Sequence, residues 1–230
     1  MNEFLQESVF FGVSVSLVTY FLGVQLKKRF GFGILNPLLI AIACTIALLV
    51  VGHIDYETYN AGAKYLSYLL TPATICLAIP LYEQFEILKH NAAAVLAGIC
   101  SGVLTSLVCI LVMSLLFGFS HEEYVTFLPK SITTAIGMGV SEEYGGYVAI
   151  TVAVIIITGV FGNVIGETVL KLFHITEPVA KGIAMGTSAH AIGTSRAMEM
   201  GEVEGALSSL SIVVAGILTV LAATVFANFI

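Results

Sequence analysis

The stretch AMGTSAHAIGTSRAMEMG, residues 184–201, sets the problem of this chain. It gathers Thr187, Ser188, His190, Thr194, Ser195 and Arg196 among glycines and alanines, in a sequence that is 58% hydrophobic and 10% charged. A soluble domain carries about 25% charged residues. Here the charges are too few to cover a water-facing surface, and the mean hydropathy is +1.00. The sequence therefore reads as one all-α integral membrane domain, residues 1–230, whose polar stretch must be sheltered from lipid.

Outward from that stretch, long apolar segments cover 33–51, 90–117, 147–173 and 205–229, with a shorter one at 8–24. A bilayer core of about 30 Å takes roughly 20 apolar residues per helix. Three further segments, 65–82, 124–141 and 178–199, are apolar but interrupted by Pro or Gly and hydroxyls. The expectation is seven or eight membrane segments, at least two of them broken, near residues 72 and 129. In lipid, irregular backbone survives only where protein or a water-filled cavity covers it, so breaks mark a kink or a site. A weak internal repeat pairs LLTPATICLAIPLYEQF at 69–85 with FLPKSITTAIGMGVSEEY at 127–144. Paired interrupted segments point to the substrate site of a secondary transporter.

The cluster KKRF at 27–30 reads as cytoplasmic by the positive-inside rule. Segment 118–127, with His121, Glu122 and Glu123, suits the outside, whereas Lys171 and Lys181 suit the inside. Full crossings by both 65–82 and 124–141 would send those lysines outside, a conflict that a re-entrant hairpin in one broken segment would remove. The start, MNEFLQESVF, lacks the basic residues of a signal peptide, so the first apolar run is expected to be retained. Cys44, Cys76, Cys100 and Cys109 fall in apolar runs without a CxxC pair and read as small buried residues. The nine Lys and Arg form no broad basic face, which argues against nucleic acid as a partner, and the net charge of -6 says little else. HExxH, P-loop and GxSxG motifs are missing, so the chain is not read as an enzyme, and no cofactor or metal is expected.

Two stretches carry groups suited to an anion. In PKSITTAIGMG, Pro129 offsets a helix, Gly137 and Gly139 permit close backbone approach, and Lys130, Ser131, Thr133 and Thr134 supply a cation and three hydroxyls. A helix restarting there presents unpaired N–H groups and a positive dipole end. The blander reading has Lys130 snorkelling and the hydroxyls bonded back to the helix. In GTSAHAIGTSR, Thr187, His190 and Thr194 share one face of a helix. Arg196 points elsewhere unless the helix breaks near Gly193. It can grip a carboxylate with two hydrogen bonds, or pair with Glu199 or Glu202 at a helix end. Glu167 is most simply paired with Lys171 four residues on.

The chain resembles the LrgB/CidB family of antiholin-like membrane proteins over nearly its whole length. The resemblance rests on LNPLL at 35–39, PLYEQ at 80–84, LPKSITT at 128–134 and KGIAMGTSAHAIGTSRAMEMGEVEGALSSL at 181–210. It implies a multi-pass protein of the bacterial inner membrane, working beside a small LrgA/CidA-like membrane partner. A plastid relative carries glycolate and glycerate, and several bacterial relatives are implicated in pyruvate movement. The older view makes the family holin-like modulators of murein hydrolases and lysis. Ala135 stands where the family commonly has Pro, SEEYGGY replaces a Ser-Ile-Gly-Gly-like turn, and the order TSAH replaces TASH. These departures bear on substrate choice.

Together these readings describe a transporter of small monocarboxylates, of the pyruvate, glycolate or glycerate type, working by alternating access. Lys130 or Arg196 neutralises the carboxylate, while Ser131, Thr133, Thr134, Thr187, Ser188, His190 and Thr194 line the same polar site. His190 and Thr194 are expected to face Lys130 and Thr133 across one cavity. The rival is a holin-like oligomer built on small-residue helix faces. Small membrane transporters commonly associate, so a homodimer is compatible with either, although the sequence does not fix subunit number.

Overall fold

The computed structural model describes residues 8–30, 37–69, 72, 75–76 and 78–230, and all regular structure among them is helical. The chain divides into two compact units, Met1–Cys76 and Leu77–Ile230.

In the first unit, α1 (Val9–Phe30) packs on α2 (Pro37–Val51) and α3 (Tyr56–Ser67). Glycine permits the contact: a Cβ at Gly12 would fall 2.0 Å from Tyr59 O, and one at Gly23 2.6 Å from Pro37 O. Hydroxyl pairs then tie the helices inside the apolar surface, Ser16 to Tyr59 at 2.7 Å and Thr19 to Thr45 at 3.2 Å.

The second unit contains α4 (Ala78–Glu83), α5 (Phe85–His90), α6 (Ala92–Phe117), α7 (His121–Phe127), α8 (Thr134–Glu143), α9 (Val148–Leu172), α10 (Pro178–Met200) and α11 (Glu202–Phe226). Helices α6, α9 and α11 are long and apolar enough to cross a membrane, as is Phe10–Phe30 in the first unit. Val95, Ile99, Val103 and Leu107 recur every fourth residue on α6 and form a core with Leu207, Ala215 and Ala223 of α11.

Helix α10 is not a continuous rod. His190 has φ 43° and ψ -138°, outside the helical region. Residues eight apart on a straight helix are about 12 Å apart. Yet a Cβ on Gly193 would lie only 2.7 Å from Met185 O, so the chain doubles back. Helix α9 records the same reversal. Its Gly162 and Gly166 meet Ala189 and Met185 of one arm, while Asn163 donates to Ile192 O at 2.7 Å and Glu167 pairs with Arg196 of the other. Residues 178–200 are thus two antiparallel half-helices with His190 at the tip. Each is about 15–18 Å long at about 1.5 Å per residue, roughly half a bilayer.

Helices α7 and α8 form a second hairpin, with Pro129 in its tip. Its start is set by a capping box in which Ser120 and Glu123 satisfy each other's backbone N–H groups. Its arms run antiparallel: His121 Nε2 lies 3.0 Å from Tyr144 O, and Thr151 on α9 bonds both Thr126 O at 2.9 Å and Ser141 Oγ at 2.7 Å. The base also meets the end of α11, where Tyr124 donates to Phe226 O at 2.9 Å.

The two hairpins therefore enter from opposite ends of the unit. Residues 121–144 come from the end holding Glu122, Glu123, Glu142 and Glu143. Residues 178–200 come from the end holding Lys171 and Lys181. Segment 124–141 thus turns back instead of crossing, which is one of the two ways in which the conflict over the lysines can be removed. Of the expected seven or eight segments, the described residues supply four apolar spans and the shorter Pro37–Val51. Two segments expected to be broken are hairpins, turned by Pro129 and by the left-handed His190. The break expected near 72 falls on residues 71, 73 and 74, which lie outside the described residues, as do 70 and 77 of the first copy of the proposed repeat. The chain breaks at His190 and not at Gly193, which provides close approach to Met185. Likewise Gly137 packs against Ile155, whereas Gly139 faces open space. The cysteines are free, but Cys76 and Cys109 are exposed, not buried.

Candidate functional site

The tips of the hairpins approach one another beside α6. A parallel pairing of α6 with the first arm of α10 brings Gly98 to Ile183 and Gly102 to Thr187. Between them runs a cavity of about 810 Å³. One wall is a face of α6 made of Gly98, Ser101, Gly102, Thr105, Ser106 and Cys109, at helical spacing. The other wall is Ala180, Ile183, Ala184, Thr187 and Ser188. Asn91 and Glu177 stand at one end, and Lys130 and Ser131, from the tip of the first hairpin, close the other.

The Lys130 ammonium donates to Ser131 Oγ at 2.9 Å, and Ser131 Oγ lies 3.1 Å from Ser106 Oγ. Among the described residues no carboxylate lies within ion-pair distance of Lys130. Thr187 donates to Ile183 O at 2.8 Å and Ser188 to Ala184 O at 2.6 Å. Bonding back to the helix uses each hydroxyl proton and leaves oxygen lone pairs as acceptors. A lysine with spare donors beside several hydroxyls is chemically suited to a small anion that also carries a hydroxyl or keto oxygen. A second cavity of about 490 Å³, on the α9 side of the same half-helix, shares Lys130, Ala184 and Ser188 with the first.

The structure thus brings together Lys130, Ser131, Thr187 and Ser188. It does not bring the rest of the expected set to that cavity. His190 is 3% exposed and donates from Nε2 to Ile155 O at 2.9 Å, with its ring lying where a Cβ on Gly159 would be. Thr194 is fully buried, donating to His190 O at 3.0 Å and sharing a 2.7 Å bond with Ser208 Oγ. Both serve the hairpin tip and its seat on α11. Thr133 caps the N-terminus of α8 without a side-chain bond, Thr134 begins that helix, and neither lines either of these two cavities. Arg196 lies at the Lys181 end, paired with Glu167 and Glu199, while Glu167 also pairs with Lys171 at 2.7 Å. Lys181 faces Glu204 at 3.7 Å. That network lines a separate cavity of about 430 Å³ with His174 and Thr176. Arg196 falls there because the reversal at His190 carries it back toward the start of α10.

Sequence reasoning missed Ser101, Thr105, Ser106 and Cys109. Their signal was present, as small polar residues at i, i+4, i+5 and i+8 on a helix otherwise rich in Leu and Val.

Comparison with known proteins identifies the family. The sequence matches the LrgB-like family over residues 16–229. It is 39% identical over 222 residues to proteins named antiholin-like protein LrgB from Bacillus mycoides (strain KBAB4) and Bacillus cereus (strain B4264), covering 96% of this chain and 96% of each relative. No solved structure matches. The chain belongs to the LrgB family and is a membrane protein.

Proposed function

We propose that this LrgB family member binds a small organic monocarboxylate at Lys130 and carries it across the membrane by alternating access. The observation that carries this reading is the meeting of two oppositely directed hairpins at a hydroxyl-lined cavity whose lysine has no carboxylate within ion-pair distance among the described residues. Opposed broken segments meeting near mid-depth are the arrangement in which secondary transporters hold substrates. The single ammonium favours a monoanion over a dianion, and the hydroxyl oxygens of Ser106, Thr187 and Ser188 favour a substrate with a second polar group. By the positive-inside rule the Lys181 end is cytoplasmic and the His121 end faces outward.

The name of the relatives favours a second reading, an antiholin-like protein that modulates murein hydrolase activity and lysis. The comparisons give that reading more support than they give transport. It needs helix faces for self-association or a small LrgA/CidA-like partner, and it leaves Lys130 without a role.

Uptake of labelled pyruvate and glycolate into proteoliposomes, with and without the partner, separates the two. Transport predicts saturable flux that Lys130→Met lowers roughly thirtyfold or more, as expected for removing the charge partner of a bound anion. If wild type shows no flux, and cells lacking the chain lyse faster and are rescued equally by a wild-type or a Lys130→Met copy, the antiholin reading without an anion site stands instead.

A further inference from the structure

We propose that Lys130 also serves a second site, on the α9 side of the first arm of α10, which takes an amphiphilic monocarboxylate: its carboxylate on Lys130 and its apolar chain along α9. The proposal rests on the reading that Lys130 holds a carboxylate, and not on transport.

The arm divides the space around Lys130 into two cavities of different character. On the α6 side Ser101, Thr105, Ser106 and Thr187 make the lining rich in hydroxyls. On the α9 side the cavity of about 490 Å³ has three polar residues, Lys130, Ser188 and Thr158, and is otherwise lined by apolar side chains and glycine. Ile157, Phe161, Ile165 and Val169 recur there every fourth residue. They make a stripe about 18 Å long, running from the middle of α9 toward its Lys171 end. The polar groups gather at one end of it. Ala189 meets Gly162 and Met185 meets Gly166, so the arm runs antiparallel to α9 and Ser188 lies near the Ile157 end with Thr158. The shape is thus a polar seat at mid-depth leading into an apolar trough. Ile157 and Phe161 are 66% and 62% exposed, which leaves the trough open along one side. In a bilayer such an apolar face meets acyl chains, so a chain can enter sideways without crossing water.

The occupant follows from matching both ends. The ammonium of Lys130 has three N–H donors and gives one to Ser131. A phospholipid tail would fill the trough, but it brings no charge to mid-depth, because its charge stays in the headgroup layer. Pyruvate would pair with Lys130 and leave the trough unfilled. A single-chain carboxylate does both. A methylene is close in size to water, so at about 30 Å³ each the space takes one chain of roughly eight to twelve carbons.

The test uses the full chain in phosphatidylcholine nanodiscs and a ten-carbon carboxylic acid with a diazirine near its methyl end, at about pH 8, where a carboxyl is ionised. After irradiation, labelled residues are mapped by mass spectrometry. We expect the acid to label 157–169 at least about tenfold more than the alcohol of the same chain and diazirine, and Lys130→Met to bring the acid down to the level of the alcohol, as for a buried charge that loses its partner. Equal labelling by acid and alcohol overturns the site and leaves only lipid contact on this face. Unchanged labelling in Lys130→Met overturns it as well. If Lys130→Met does not fold, Ile165→Trp serves, since it fills the trough and leaves Lys130 in place. Labelling by the acid should then fall to the level of the alcohol, and an undiminished signal overturns the site. Labelling that depends on the carboxylate, in a protein that moves no pyruvate, supports this site and counts against transport alone.

Discussion

The two hairpins of the second unit share a shape but differ in how they are held. Residues 178–200 are fastened by missing side chains. A Cβ at Gly182 or Gly186 would fall 2.5 Å from Glu204 O or Ser208 O, so the half-helix rests directly on the backbone of α11. Residues 121–144 meet their neighbours chiefly through side chains, by hydrogen bonds at Thr126, Ser141, Thr151 and Tyr124 and by Ile155 against Gly137, and are flanked by two glycines, Gly118 and Gly145, with open space where a Cβ would stand. Close packing tolerates no displacement, because interiors have no slack to absorb it. Hydrogen bonds can be exchanged for others or for water at a net difference of about 1 kcal/mol each. The difference teaches which hairpin is frame and which can move. It also gives the polar groups of 178–200 a double purpose, some facing the cavity and others fixing the frame.

The largest effect should come from attacking the frame. Gly186→Leu drives a side chain into the Ser208 backbone, and should cost about 3 kcal/mol or more, the upper range for overpacking. Thermal unfolding in detergent should fall sharply, whereas the equivalent change at Gly139, which faces open space, should leave the midpoint near wild type. Comparable losses at both sites would erase the distinction between the two hairpins.

A smaller loss is expected at the turn itself. His190 holds a left-handed backbone at a cost of roughly 1–3 kcal/mol, sustained by its bond to Ile155 O. His190→Phe keeps the strain and loses the bond, so it should destabilise by about 1–3 kcal/mol. His190→Gly loses the bond but relieves the strain, and should be the milder of the two. If His190→Gly is the worse variant, the ring does more than hold the turn.

The smallest effects sharpen the assignment of hydroxyls. Thr194→Val leaves Ser208 without its buried partner and should lower stability by about 1 kcal/mol, with little change in pyruvate affinity. Thr133→Val should change neither by more than about 0.5 kcal/mol, as surface changes usually do. A substantial loss of affinity in Thr133→Val would return the tip of α8 to the site.

Particular residues mark what was legible. The pairing of Glu167 with Lys171 and the break at Pro129 could be read from spacing and composition, because each depends on residues close in sequence. For Arg196 the pairing with Glu199, three residues on, could be read in the same way, but the pairing with Glu167 could not: that residue sits on another helix and meets Arg196 only after the chain reverses at His190. Nor could the reversal itself be foreseen. A histidine between two alanines carries no breaker signal, and the glycine signal nearby, at Gly193, belongs to packing.

By itself the sequence determined that this chain lives in a membrane, that its helices are long and apolar, and that two interrupted segments carry polar groups that lipid would not tolerate. Those are properties of composition and local periodicity, and every copy of the chain must obey them regardless of partner or neighbour. Only the tertiary structure decided which polar groups meet. Reversal at the tips places Lys130 and Ser131 against Thr187 and Ser188 and carries Arg196 to the other end. The physical reason is that a half-helix and a spanning helix look alike in hydropathy, and the difference between them is made by where backbone contacts from distant segments allow the chain to turn.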